Sequence, residues 1–230
     1  MPPPSGEPSI AGARLAERGV VCGYVPTDRR AGFVALLALD DALAGIVRTT
    51  REPIVGQMRL TWWYEALEAL DRAGAPVGEP ILTALAGEVA PRGVAGRMLA
   101  AMIDGWEMLL DPDPLEAAGM RTFARARGEA LFGALAVVLG APIDAGTARA
   151  GEGWALTDLA THLRDPGQAA LARTMAIDAF ASGSRHAWPR QLRPIGMLSL
   201  LARADLAVPQ PRPGSPHRLA RLLMHRIWGR

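Results

Sequence analysis

Residues 31–70 read AGFVALLALDDALAGIVRTTREPIVGQMRLTWWYEALEAL, and two helices are legible in them. Asp28, just upstream, is a candidate N-cap, and Phe33, Leu36, Leu37, Asp40 or Leu43, and Val47 recur at the i, i+3, i+4 spacing of one helical face. Glu52-Pro53 opens the second helix, where proline's missing N–H would have had no helical partner anyway. That helix carries Met58, Leu60, Trp62, Trp63, Leu67 and Leu70, and Gly74-Ala75-Pro76 is expected to end it.

Outward from this stretch the same punctuation continues. Pro80 and Pro91 are expected to open the next two helices, the second running through Met98, Met102, Trp106 and Leu109. Asp111-Pro112-Asp113-Pro114 is a stop and restart, because the residue before a proline is pushed out of the helical region. A long helix is predicted over 115–139, broken by Gly140-Ala141-Pro142. Another runs over 144–163 and ends at Asp165-Pro166-Gly167, and two more lie near 168–182 and 189–204. A proline-rich linker, 208–216, leads to a short basic helix, 217–228. No period-two alternation bounded by hairpin turns occurs, so no strand is predicted. The fold class is all-α, a bundle of roughly eight helices with short connections. Its expected divisions are a Pro/Gly-rich arm over 1–27, a helical domain over 28–204, and the linker with a basic amphipathic helix over 205–230.

Composition supports packed helices. Half of the residues are hydrophobic but only 5% are aromatic, so alanine and leucine must fill the core. The single cysteine, Cys22, cannot build a disulfide framework or a thiolate metal cluster, and the opening MPPPSGEPS lacks a signal peptide's basic start and apolar run. No apolar stretch approaches the ~20 residues a membrane-spanning helix needs. A cytoplasmic protein is therefore expected. All 25 basic residues are arginine; nine of them, with one acid, fall between Arg185 and Arg230. That tail is strongly positive and the rest mildly acidic, which suits an anionic membrane surface reached through 217–228, with no nucleic-acid partner expected. In 217–228, Leu219, Leu222, Leu223, Ile227 and Trp228 gather on one side of a helical wheel, and the same stripe could instead pack on the bundle. Phosphate-loop, serine-hydrolase and zinc-protease motifs are absent from the sequence.

The string Glu52-Pro53…Gly56-Gln57-Met58-Arg59-Leu60-x-Trp62-Trp63 resembles the second helix of the squalene/phytoene synthase family. Trp154-Ala155-Leu156-Thr157-Asp158-Leu159 through Leu163-Arg164-Asp165, and Arg185-x-x-Trp188-Pro189-Arg190, resemble later parts of it, so the likeness spans about residues 28–204 in order. The resemblance implies an all-α isoprenoid-synthase bundle. Active members join two allylic diphosphates head to head, using Mg²⁺ held by two Asp-rich motifs on facing helices.

In this chain the first motif falls on Ala44-Gly45-Ile46-Val47-Arg48, none of them acidic, with Asp40 and Asp41 one turn upstream. At the second, Asp165 is followed by Pro166-Gly167-Gln168-Ala169. Asp40, Asp41 and Asp165 are the catalytic candidates. Asp158, His162 and Asp165, at i, i+4 and i+7, share a helical face and form either a metal-ligand set or a solvated face. The resemblance directs Arg30, Arg59 and Arg164 toward a diphosphate; the alternative is surface pairing with Asp28, Glu52 or Asp165. Arg48 stands where the family carries acid and inverts the local charge. Trp62 and Trp63 are either core anchors or cavity walls.

The expectation is a squalene/phytoene-synthase-like protein that is a non-catalytic binding or assembly protein without a cofactor, similar to metal-poor relatives associated with assembling respiratory complex I. Its partner would be a protein complex, or an isoprenoid or prenyl diphosphate. The alternative is an active head-to-head prenyltransferase that requires Mg²⁺.

Overall fold

Two long helices, α2 (Thr27–Thr49) and α8 (Ala145–His162), supply the facing surfaces around which the rest of the chain packs. The computed structural model describes residues 9–72, 78–111, 113–183, 187–208 and 211–230. Among the described residues every regular element is helical, in agreement with the all-α reading.

Proline and short polar residues set the boundaries. α3 (Pro53–Ala69) begins with Pro53 in its first turn, after Glu52 in extended conformation. α4 (Pro80–Glu88) is capped by the Glu79 carboxylate, which accepts from Leu82 N–H at 2.8 Å. α8 is capped in the same way by Asp144 on Thr147 N–H, at 2.8 Å. α5 (Gly96–Glu107), α6 (Ala117–Phe123) and α7 (Ala130–Val138) lie between them. α9 (Pro166–Ser182) and α10 (Arg193–Leu206) follow α8, and α11 (Pro216–Trp228) completes the set.

Three expectations are corrected. Residues 1–27 are not merely an arm: Ile10–Gly23 form α1, capped by the Ser9 hydroxyl on Gly12 N–H and burying Ala13, Glu17 and Val21. Pro91 does not open a helix; it sits in a 3₁₀ turn, Ala90–Arg92, and Gly93 at φ +93° redirects the chain before α5. The helix expected over 115–139 is interrupted by a π turn at Ala124–Glu129. Of the placements left open for 217–228, the helix is seated on the bundle: α11 packs on α10 and buries Arg218, Leu222 and His225. The expected stop at Gly74-Ala75-Pro76 lies outside the described residues.

The core is continuous and built mainly from leucine and alanine, with Phe33, Leu36, Leu39 and Leu43 of α2 fully enclosed. α8 can run through its middle because its buried face is mostly small residues. At one crossing a Cβ on Gly128 of the π turn, or on Gly151 of α8, would stand 2.1 Å from the other residue's carbonyl oxygen. Only glycine permits that approach. It brings the π turn against α8 and sets the position of the residue just before Gly128.

Candidate functional site

That residue is Arg127, which is 2% exposed. Its Nε and Nη2 donate to the two carboxylate oxygens of Asp40 on α2, each at 2.8 Å. Its Nη1 donates to Asp158 Oδ2 on α8 at 2.6 Å. The guanidinium also lies over the rings of Trp106 and Trp154, at 4.2 and 4.6 Å from their centroids. Planar cations suit such a slot, since the ring faces are electron-rich and the fork geometry matches a carboxylate.

The remaining oxygens near this centre are also engaged. Asp158 Oδ2 accepts a second bond from Arg48 Nη2 at 3.3 Å, and Asp158 Oδ1 lies 3.5 Å from His162 Nδ1. Burial alone would raise the Asp158 pKa, but Arg127, then His162 and Arg48, outweigh it and hold the carboxyl below its usual range. Asp41, the neighbour of Asp40, turns toward Arg18 of α1, which donates at 2.7 Å. A second ionic centre lies at the other end of the cavity. There Arg218 of α11 donates to Glu17 of α1 at 2.7 and 3.0 Å and to Asp205 of α10 at 2.6 Å.

These two centres line one cavity of about 200 Å³ between α1, α2, α8, α10 and α11. Its walls carry five arginines (14, 18, 48, 127, 218) and five carboxylates (Glu17, Asp40, Asp41, Asp158, Asp205), so the lining has no net charge. Small-molecule sites typically enclose ~300–1,000 Å³. Two long prenyl diphosphates exceed what this space offers.

The sequence candidates separate into those the structure brings together and those it does not. Asp40, Asp41, Arg48 and Asp158 meet at the cavity. Asp165 lies elsewhere: its carboxylate caps α9, accepting from Gln168 N–H at 2.7 Å. With His162 and Arg164 it borders a separate groove that also carries Asp111 and Asp113. The trio Asp158, His162, Asp165 is therefore not assembled. The i+7 spacing holds only within one helix, and α8 ends at His162 before Asp165 starts the next.

Arg30 donates to the carbonyls of Gly23 and Val25, closing the α1–α2 turn, and Arg59 is exposed on α3. Neither these two nor Arg164 lines the cavity. Trp63 is 8% exposed and packs in the core, whereas Trp62 is 46% exposed on the outer face of α3; neither forms a cavity wall.

Mg²⁺, which the family's chemistry calls on, does not fit this donor set. Hard cations need free oxygen ligands, yet both Asp40 oxygens and Asp158 Oδ2 already accept from guanidinium groups. Among the described residues, no group of three or more His, Cys, Asp or Glu side chains is placed to hold a metal ion.

Arg127 itself is absent from the sequence-derived candidates. Its signal is a charge interrupting an apolar stripe: Met120, Phe123, Arg127, Leu131 and Ala134 follow helical spacing, and all are buried. A charge within such a stripe requires a buried partner.

Comparison with known proteins gives one positive result: the model of the squalene/phytoene synthase family matches residues 17–175. No curated protein and no solved structure matches the chain.

Proposed function

The chain belongs to the squalene/phytoene synthase family, and from that membership we propose that it is a non-catalytic member acting as a binding or assembly protein. One observation carries this reading: the Arg127 guanidinium bridges Asp40 and Asp158, carboxylates of two facing helices, and takes up their oxygens. In an active relative, carboxylates on facing helices hold Mg²⁺ against a departing diphosphate. Here a resident cation supplied by the chain neutralises them instead.

Three further features support the reading. Asp40 lies one turn before the acid-free stretch 44–48, so the carboxylates that converge are not those of the expected motifs. Arg48, within that stretch, adds a second positive charge to Asp158. The cavity is small and charge-balanced, which leaves neither room nor field for two prenyl diphosphates. Metal-poor relatives of this kind are associated with assembling a respiratory complex, and an assembly role fits a bundle whose cavity is small and charge-balanced.

The test is incubation of the full chain with farnesyl or geranylgeranyl diphosphate and Mg²⁺, following diphosphate release and prenyl product. Neither should exceed the buffer control. Product formation that Asp40→Asn or Asp158→Asn abolishes would instead establish an active head-to-head prenyltransferase.

A further inference from the structure

We propose that the outward face of α11 docks on an anionic lipid bilayer while the helix stays seated on the bundle. The inference concerns a surface remote from Arg127 and stands independently of the reading above.

α11 is mounted with its apolar side outward. Arg218, Leu222 and His225 turn inward and are buried. On the opposite arc, Leu219, Leu223, Met224, Ile227 and Trp228 are all between 39% and 54% exposed. An amphipathic helix that only completes a bundle would bury this side.

Leu222 enters the core, and the rest of what holds the helix is polar. Arg218 is clasped by Glu17 and Asp205, and Glu17 also accepts from Gly214 N–H at 2.8 Å. Trp188 N–H donates to the Gly229 carbonyl at 2.8 Å, and Arg193 donates to the Arg226 carbonyl at 2.7 Å. Apart from Leu222, the seat does not use the apolar stripe, and the other members of the stripe remain open for a partner.

Charge identifies that partner. On one flank of α11, Arg203, Arg221 and Arg230 border a cleft; on the other, Arg190, Arg193 and Arg226 border a second. No carboxylate side chain lines either cleft, and among the described residues none of the six arginines forms a salt bridge. An apolar strip bounded on both sides by guanidinium groups that no carboxylate among the described residues neutralises matches a bilayer surface. The apolar side chains enter the acyl boundary and the arginines meet phosphates. Trp228, at the end of the strip, suits the interfacial zone. A second copy of this chain would oppose arginines with arginines, so self-association across this face is disfavoured. The mode is in-plane: no described helix is long and apolar enough to cross a membrane.

Cosedimentation of the full chain with vesicles of phosphatidylcholine alone and of phosphatidylcholine with phosphatidylglycerol tests the proposal. Binding should require phosphatidylglycerol and weaken with salt. In Leu223→Glu/Ile227→Glu, which alters exposed positions only, it should fall at least about tenfold while helicity is retained. If that variant does not fold, quenching by brominated lipid decides without it: wild type should be quenched more than Trp228→Phe. Absence of vesicle binding by wild type overturns the proposal, as does equal binding by the folded variant or equal quenching of the two proteins. Concentration-dependent dimerisation abolished by Leu223→Glu/Ile227→Glu would overturn it in favour of a second copy.

Discussion

Arg127 shows how a buried charge is made tolerable. Taking a guanidinium out of water costs several kcal/mol, and the cost is offset only where every donor finds an acceptor in good geometry. Asp40 supplies a two-pronged match, Asp158 a third bond, and two tryptophan faces the remaining surroundings. Removing one member leaves the others uncompensated. Arg127→Met should therefore cost about 3–5 kcal/mol in denaturant unfolding. The double variant Arg127→Met/Asp40→Leu should recover part of that loss, because the buried Asp40 carboxylate is then gone and Asp158 keeps Arg48 as a partner. Unchanged stability in the single variant would mean that the ion pair is not formed in solution. At this scale the sequence was half legible. Asp40 and Asp158 were recognisable as acids on helices, and Arg48 as a charge of unexpected sign. The centre that gathers them was not, since Arg127 lies 87 positions from Asp40 and belongs to no acidic motif.

Helices were more legible than their faces. Proline and the capping acids marked where α3, α4, α8 and α9 begin, because those residues act locally through their own backbone or the next turn. α1 was hidden by the Pro/Gly-rich residues before it and by a buried stripe containing Glu17, whose partner Arg218 is 201 positions away. The π turn left no local mark either, being fixed by the Gly128–Gly151 crossing. Adjacent Trp62 and Trp63 illustrate the same limit. Periodicity placed both on α3, but successive residues point about 100° apart, so only Trp63 enters the core. Trp63→Ala should cost ~3–5 kcal/mol, as for a large core aromatic. Trp62→Ala should cost about 1 kcal/mol, the order of its edge-to-face contact with Trp63. Equal effects on thermal unfolding would mean that α3 is rotated from the position described.

The chain as a whole separates a charge-balanced cavity from a basic face around α11. The basic C-terminal segment was plain from arginine spacing, and the apolar stripe of 217–228 from the helical wheel. A wheel shows which residues share a side, not which side meets the bundle; that orientation depends on Glu17 and Asp205 capturing Arg218. In the interior Asp40 and Asp158 are bound by Arg127, in the place a divalent cation would otherwise take. Titration of the full chain with Mn²⁺, with and without inorganic diphosphate, measures this directly through the electron paramagnetic resonance signal of free Mn²⁺. With Arg127 bound to both carboxylates the free signal should equal that in matched buffer; stoichiometric loss of signal that Asp40→Asn or Asp158→Asn restores would mean that these carboxylates hold a divalent cation instead.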